Sequence, residues 1–238
     1  MKGIVLTGII ASVALALASV APAEDLTIVS RVEMGKGKTV TSTQYLTSTK
    51  VRTSDGENDT IMDFSTGRLT VINGKKKEYY ETSLQDMAES MQKMQQELAN
   101  SPMAGMFGKV QDVKVEKGTE AKKVAGYDTQ HWILTMGEGM RFDMWAAPSV
   151  EAPTQYYDAR KSLYLAMGPM GQRFQRMTEE MRKVKGFPLA TRITAKMMMI
   201  KMDTYTEATE VRKGAIPASA FEVPAGYKKK EAPFKKAA

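Results

Sequence analysis

Turn-forming residue pairs divide the first third of the chain into short segments at intervals of roughly ten residues, a spacing typical of antiparallel sheets. The pairs are Asp55-Gly56, Thr66-Gly67 and Asn73-Gly74. The segments around them are rich in β-branched and aromatic residues, and we predict strands at Lys50–Thr53, Thr60–Phe64, Leu69–Ile72 and Glu78–Glu81. No helical segment separates them, as a series of β-α-β units would require. The pattern therefore predicts an antiparallel meander.

Apolar and polar residues alternate from Asp25 to Met34, which predicts a half-buried strand. The turn Gly35–Lys38 connects it to Thr39–Thr47, so the two segments should form a hairpin. The connection Gly137-Glu138-Gly139 suits a second tight hairpin. Further strands are predicted at Gln111–Lys117, Asp128–Met136, Met140–Trp145, Leu189–Val211 and Phe221–Pro224.

Two regions change to a helical period. Apolar residues three or four positions apart predict an amphipathic helix over 83–99, and Ser83 followed by Asp86 is a typical start signal. A second helical region over 154–185 is interrupted at Gly168-Pro169. The order of elements predicts one α+β domain, in which helices cover one face of an antiparallel sheet.

Residues 1–23 have the composition of a secretory signal peptide, with one early lysine, a short apolar stretch and the ending Ala21-Pro22-Ala23. The apolar stretch is marginal for a membrane anchor, which needs about 20 residues. We expect a cleavable signal peptide over 1–23, one domain over 24–227 and a disordered basic tail over 228–238. The chain contains no cysteine, so disulfides and thiolate metal sites are excluded. Export without disulfides predicts a periplasmic location.

Residues that could support catalysis are scarce. His131 is the only histidine, and no cysteine can pair with it. The sequence has no nucleophile elbow, glycine-rich phosphate loop or dinucleotide-binding motif. We therefore expect a protein without enzymatic activity, metal or cofactor. The net charge of +7 makes an anionic membrane surface a candidate partner. Nucleic acid is not expected, because the basic residues are not interleaved with aromatic residues.

Methionine is common, with 19 residues in the chain. Because methionine is unbranched and polarizable, it repacks around partners of varied shape. We predict that an apolar ligand binds between the sheet and the helices. The candidate lining residues are Met87, Met91, Met94, Met140, Phe142, Met144, Phe174, Met177 and Met181. Two alternatives remain open: copper(I) binding by methionine pairs such as Met91 and Met94, and a filled core in a structural or regulatory envelope protein.

The heptapeptide Lys196–Met202, with the sequence KMMMIKM, contains four methionines. Read with period two, it is apolar on both faces, which a strand with one solvent-exposed face should not be. We predict a hairpin turn near Met198 to Lys201, with an exposed apolar rim as the alternative.

Several short motifs follow one another along the chain: Lys50-Val51-Arg52, Ile61-Met62-Asp63, Thr70-Val71-Ile72-Asn73, Lys77-Glu78-Tyr79-Tyr80, Gly126-Tyr127, Gly186-Phe187-Pro188-Leu189 and the segment Phe221–Tyr227. Taken in this order, they resemble an uncharacterised family of exported bacterial proteins that is similar to the periplasmic lipoprotein carriers LolA and LolB. The resemblance implies a curved antiparallel β-sheet, a half-open β-barrel whose concave face is covered by helices. It also implies non-catalytic binding of a lipid, an acyl chain or a lipidated protein. No functional residue transfers position by position.

Overall fold

A computed structural model gives the fold of residues 24–87, 89–90, 93, 113–137, 139–153, 168–197 and 200–232. The twelve strands are β1 (Leu26–Met34), β2 (Lys38–Leu46), β3 (Lys50–Ser54), β4 (Asn58–Asp63), β5 (Arg68–Asn73), β6 (Glu78–Ser83), β7 (Val113–Val124), β8 (Tyr127–Met136), β9 (Met140–Ala147), β10 (Phe187–Met197), β11 (Ile200–Lys213) and β12 (Lys228–Lys229). Helix α1 spans Gly168–Met181. Helical residues also follow β6, at 84–87, 89–90 and 93.

The twelve strands found among the described residues belong to one sheet, in the order β12-β6-β5-β4-β3-β2-β1-β11-β10-β9-β8-β7. Every pair is antiparallel except β12 with β6, which is parallel. The strand order is linear, with β12 at one edge and β7 at the other, so the sheet is open. The predicted α+β fold, a half-open antiparallel barrel, is confirmed.

Local turn chemistry explains why consecutive strands pair. Met34 pairs with Lys38 across a three-residue 3-10 turn, Gly35–Gly37. Gly37 has φ = +74°, a left-handed conformation that glycine adopts without steric cost. Met136 pairs with Met140, as expected for the predicted hairpin at 137–139. These two predicted hairpins are confirmed.

The hairpin predicted in KMMMIKM is also confirmed. Met197 pairs with Ile200 and Lys196 with Lys201, so the chain reverses direction between residues 197 and 200. The two connecting residues lie outside the described residues.

The helical residues after β6 begin with a capping box. The backbone N–H of Asp86 donates to Ser83 Oγ at 2.9 Å, and the backbone N–H of Ser83 donates to Asp86 Oδ2 at 3.3 Å. The two side chains thus satisfy backbone donors that a helix start leaves unpaired. The predicted start is confirmed, and most of the predicted helix lies outside the described residues. Residues 154–167 of the second helical region, and residues 1–23, also lie outside them.

The central core forms where the first and last long strands meet. Leu26 and Ile28 of β1, Leu46 of β2 and Ala208 of β11 belong to its buried cluster. Trp145, Phe187 and five further buried residues complete it: Val124, Ala147, Val150, Leu189 and Ala190. Val51 is among the half-buried residues that pack against this cluster. The core therefore joins the two halves of the sheet.

The structure corrects two sequence-based predictions near the C-terminus. A strand is predicted at Phe221–Pro224, but Phe221 ends a 3-10 helix, Ala218–Phe221. A disordered tail is predicted from residue 228, but Lys228 and Lys229 form β12 and Ala232 is 5% exposed. The basic composition of this segment predicts a solvated tail. In the structure, however, Lys229 and Lys230 form ion pairs with Glu81 and Glu78 of β6.

Candidate functional site

One face of β7, β8 and β9 is apolar and carries helix α1. Because successive residues of a strand point to opposite faces, a set of alternate positions forms this surface. Its buried residues are Val115, Leu134, Met144, Ala146 and Val184, and Val113, Trp132, Met136, Phe142, Met177 and Met181 pack against them half-buried. We call this set the methionine face.

Helix α1 is fixed to the edge of the sheet by Glu180. One oxygen of Glu180 accepts a hydrogen bond from the backbone N–H of Val115 at 3.1 Å, and the other accepts one from Lys183 Nζ at 2.5 Å. The hydrogen bond from Lys183 holds the pKa of Glu180 below its usual range. Since β7 is an edge strand, this carboxylate occupies a backbone donor that would otherwise face outward.

The methionine face continues beyond α1 in rows of paired residues. One row runs across four strands through Met136, Met140, Ala195 and Met202, and the next runs through Leu134, Phe142 and Ile193. Met136, Met140, Phe142 and Ile193 are half-buried, whereas Met202 is 44% exposed. Apolar surface on this side of the sheet therefore reaches solvent at the end where β8 turns into β9.

The structure brings five of the predicted lining residues to this side of the sheet. Met144, Phe142, Met177 and Met181 belong to the methionine face, and Met140 lies in the adjoining row. Met87 is half-buried but follows β6, which lies far from β9 in the strand order. The side chain of Phe174 and the whole of Met91 and Met94 lie outside the described residues. Which of these residues contact a ligand stays a prediction.

The opposite face of the same strands carries a polar network that sequence reasoning missed. His131 of β8 stacks on Trp145 of β9, with ring centroids 4.9 Å apart and an interplanar angle of 11°. Its Nε2 lies 2.9 Å from Asp143 Oδ1, and Arg141 binds both oxygens of Asp143 at 2.7 and 2.8 Å. Because a carboxylate only accepts hydrogen bonds, the imidazole is the donor.

The network extends to β7 and β11 through Lys122. Its Nζ lies 4.1 Å from the centroid of the Trp145 ring and 2.8 Å from Glu207 Oε2, and it also bonds the hydroxyl of Tyr205. Burial opposes the charged forms, but the hydrogen bonds between Lys122 and Glu207 raise the pKa of the lysine and lower that of the glutamate. The ammonium group is thus held between a carboxylate and aromatic rings, an arrangement that favours the cation.

The sequence contains one signal of this network, namely that His131 is the single histidine of the chain. Lys122 and Tyr205 are 83 positions apart, and Lys122 and Glu207 are 85 apart. Such contacts form because the five strands from β7 through β11 pair in succession, and no local sequence motif marks them. The network joins charges of opposite sign across several strands, so its evident role is structural.

A small pocket of about 220 Å³ lies between the β1–β2 turn and the start of β11. It is lined by Glu33, Met34, Gly35, Gly37, Thr39, Arg192, Asp203 and Tyr205. Its charges are paired within the protein: Arg31 binds Glu33 at 3.0 Å and Arg192 binds Asp203 at 3.3 Å. Among the described residues, no group of three His, Cys, Asp or Glu side chains is arranged to hold a metal ion.

Residues 31–227 match the model of a family described as a domain of unknown function, DUF4412. The chain belongs to this family. The match begins within β1 and continues past the end of β11, so the methionine face and the polar network are both built from residues of the DUF4412 domain. None of the curated proteins compared with the chain matches its sequence.

Solved structures with a similar shape are distant in sequence. The structure of PNGF-II is 12% identical, with a TM-score of 0.40 over 88% of this chain and 31% of its own. A chain of the MucA/MucB complex of Pseudomonas aeruginosa is 12% identical, with a TM-score of 0.43 over 86% and 57%. A LolA superfamily protein from Nitrosomonas europaea is 10% identical, with a TM-score of 0.30 over 85% and 91%.

This DUF4412 chain therefore spans about a third of PNGF-II and just over half of the MucA/MucB chain. All three TM-scores are below 0.5, so the fold is assigned from the strand order and register of the chain itself. No helix among the described residues is long and apolar enough to cross a membrane.

Proposed function

We propose that this protein is a non-enzymatic binding protein of the bacterial periplasm, whose methionine face holds the acyl chain of a lipid or of a lipidated protein. One observation carries the proposal: the apolar rows of the sheet continue past helix α1, through half-buried Phe142 and Met140, to the exposed Met202. A face that served only as core would be covered along its length.

The chemistry of the face fits a flexible apolar chain. Methionine and phenylalanine side chains supply contacts without fixed hydrogen-bonding geometry, and methionine adapts its rotamers to the occupant. The charged residues of the polar network lie on the opposite face, and Glu180 and Lys183 bond to each other beside the edge strand β7. An acyl chain needs no polar partner along its length, whereas a polar substrate would require convergent donors and acceptors.

The predicted signal peptide and the absence of cysteine support the proposed location.

A filled core is the competing explanation for the buried part of the face, since Leu134 is 2% exposed and Met144 is 4% exposed. The two explanations differ at Met177, which is half-buried on α1. Under the proposal it contacts the ligand, and under the alternative it contacts only protein.

The test combines ligand detection with a matched pair of variants. Native mass spectrometry of protein purified from its own envelope should show bound lipid, and the delipidated protein should take up a fluorescent long-chain fatty acid. Met177→Gln keeps the side-chain length but removes apolar contact, and we expect about tenfold weaker uptake or more. Arg176→Gln, at an exposed position beside it, is the control and should bind as the native chain does.

Thermal unfolding of both variants separates the two explanations. The proposal fails if the native protein gives a ligand-free mass spectrum and takes up no fatty acid while Met177→Gln is destabilised. In that case the methionine face is only core. Weaker uptake at a melting temperature equal to that of Arg176→Gln would support ligand contact.

A further inference from the structure

The two edges of the sheet are protected in different ways. At the β7 edge, the carboxylate of Glu180 accepts the backbone N–H of Val115, and lysine and glutamate side chains line the strand. At the β6 edge, the protection is β12, a strand of two residues. Charged side chains close an edge to pairing, whereas an added strand shows that the edge accepts one. The β6 edge is therefore the one suited to strand pairing.

Backbone groups of β6 point alternately to β5 and to the outer edge. The carbonyl of Lys77, just before β6, accepts a hydrogen bond from the N–H of Lys228 at 2.9 Å. The carbonyl of Tyr79 accepts one from the N–H of Lys230 at 2.7 Å. The same alternation turns the backbone groups of Glu81 outward. Since β12 has two residues and β6 has six, the outer edge of β6 is only partly paired among the described residues.

Two carboxylates of β6 bind consecutive lysines of the C-terminal segment. Glu81 Oε2 accepts a hydrogen bond from Lys229 Nζ at 2.5 Å, and Glu78 Oε1 lies 3.2 Å from Lys230 Nζ. Glu81 is also 3.8 Å from Arg68 of β5, which is beyond hydrogen-bonding distance. Positions 78 and 81 point to opposite faces of the sheet, as do adjacent residues of an extended segment. The edge thus binds two basic residues in succession, one on each face.

The segment 226–232 is held by few contacts. Residues 228–231 are exposed, and the side chains of Lys229 and Lys230 are 58% and 56% exposed. Ion pairs of such exposed groups contribute about 0–1 kcal/mol each. Ala232 is buried, but its side chain is one methyl group, worth about 0.8 kcal/mol. A competing strand therefore has little binding energy to overcome.

The chain before β12 is anchored independently of it. The backbone N–H groups of Gly214 and Ile216 donate to the carbonyl and the side chain of Asp25, at 3.0 and 3.2 Å. Arg52, whose side chain is 16% exposed, donates from Nη1 to the carbonyl of Ala220 at 2.7 Å. Departure of β12 from β6 thus leaves the preceding segment in place.

We propose that the outer edge of β6 is a docking site for an extended segment of a partner protein that carries two consecutive basic residues, and that β12 occupies this site in the free protein. The partner displaces β12, pairs with the backbone of β6 as far as Glu81, and places one basic side chain against each carboxylate. Backbone pairing supplies affinity, and the two carboxylates supply specificity. The inference does not depend on the acyl-chain ligand, which was assigned to the other meander.

The experiment is an NMR titration of the isotopically labelled full chain with a synthetic peptide that has the sequence of residues 226–232. Lys229→Glu together with Lys230→Glu repels β12 from the carboxylates of β6 and frees the edge; we call this the released variant. It should bind the peptide at least about tenfold more tightly than the native chain, in which the tethered β12 competes. The amide of Glu81 should shift on binding, because its N–H faces the edge.

The control is Lys114→Glu together with Lys123→Glu, which makes the same change of charge at exposed positions of β7. Its affinity for the peptide should lie within about twofold of the native value, since β12 still occupies the edge of β6.

Two altered peptides of equal composition and charge test the recognition. The peptide with Lys228→Ala keeps Lys229 and Lys230 in succession and should bind the released variant about as well as the original. The peptide with Lys229→Ala keeps Lys228 and Lys230, whose side chains point to the same face. It loses the contact with Glu81 and should bind about three- to fivefold more weakly.

Three results of the titration overturn the inference. They are no shifts in β6 of the released variant up to millimolar peptide, equal affinity of the control and the released variant, and equal affinity of the two altered peptides. If near-UV circular dichroism shows that the released variant is misfolded, Lys229→Ala together with Lys230→Ala frees the edge without repulsion and the same criteria apply.

Sedimentation velocity tests the choice of partner. The native chain should be a monomer under the conditions of the titration. A native dimer that the released variant converts to a monomer would show that β12 exchanges between two copies of the chain, and the inference of a different partner protein would be wrong.

Discussion

Replacing Gly118 by alanine should displace His131 and dismantle the polar network. A Cβ at this position would lie 2.5 Å from Cγ and 2.8 Å from Cε1 of the imidazole, and closer still to Nδ1. Those are ring atoms, so no flexible chain end can yield. The ring is also confined on its other sides, by Trp145 in a stacked contact and by Asp143 through a hydrogen bond. The clash therefore forces the ring out of its place.

The cost can be estimated from the contacts that would be lost. A hydrogen bond to a charged group contributes about 1.5–3 kcal/mol, and a stacked ring pair about 0.5–1.5 kcal/mol. His131 is 6% exposed, so little solvent screening reduces these values. A loss of about 2–4 kcal/mol should lower the melting temperature by roughly 5–15 °C in a protein of this size. Gly35→Ala is the control, because nothing lies within 4 Å of a Cβ at Gly35.

The assay is thermal and denaturant unfolding followed by circular dichroism, with tryptophan fluorescence as a report on Trp145. A double-mutant cycle with His131→Ala tests the cause. Once the ring is absent, Gly118→Ala should cost less than about 0.5 kcal/mol, since independent sites add and coupled sites do not. An equal cost in both backgrounds, or a cost no larger than that of Gly35→Ala, would refute the role of the ring.

Two further predictions concern charge and the C-terminal strand. Hydrogen bonds from Arg141 and His131 hold the pKa of Asp143 below its ordinary 3.8, so its stabilising contribution is present above that value and is lost as the pH falls through the folded-state pKa. The free energy of unfolding should fall more for the native chain than for Asp143→Asn when the pH is lowered below about 4. Urea titrations at several pH values measure this difference, and equal losses in the two proteins would contradict the prediction. Truncation after Tyr227 removes two backbone hydrogen bonds, from the N–H of Lys228 to the carbonyl of Lys77 at 2.9 Å and from the N–H of Lys230 to the carbonyl of Tyr79 at 2.7 Å, worth about 1 kcal/mol each. We expect a melting temperature lower by about 3–8 °C, and an unchanged value would show that β12 contributes nothing.

The sequence predicted the features that a few neighbouring residues determine. Glycine-containing turns specified the hairpins at 35–37 and 137–139, and Ser83 with Asp86 specified a helix start. The doubled apolar pattern of KMMMIKM indicated a reversal of the chain because no one-sided strand could accommodate it. Each of these signals is contained in a segment of about ten residues or fewer, the range over which turn and capping interactions act.

Features that depend on distant pairing had no such signal. Lys122, Trp145 and Tyr205 meet only because β7 to β11 assemble in order, and none has a motif of its own. The composition around Lys228 and Lys229 predicts a solvated tail. These residues lie beside β6, where ion pairs of Lys229 with Glu81 and of Lys230 with Glu78 hold the segment. For the candidate site, periodicity placed Phe142, Met144, Met177 and Met181 on apolar faces. It did not show that those faces meet, because helix position depends on tertiary contacts such as that of Glu180 with β7.

The pairing of β1 with β11 has a consequence for how the chain folds. Strands β1 to β6 and β7 to β11 are two meanders, each formed by pairing of sequence neighbours, with β12 added at the outer edge of the first. They join at one seam, where Thr209 donates a hydrogen bond to the carbonyl of Val29, 180 positions away. Closing a loop of that length carries a large entropic cost, and the pairing that follows is slow. The seam is therefore the step at which the two meanders become a single sheet, and until then each exposes an unpaired central strand, β1 or β11, to other chains.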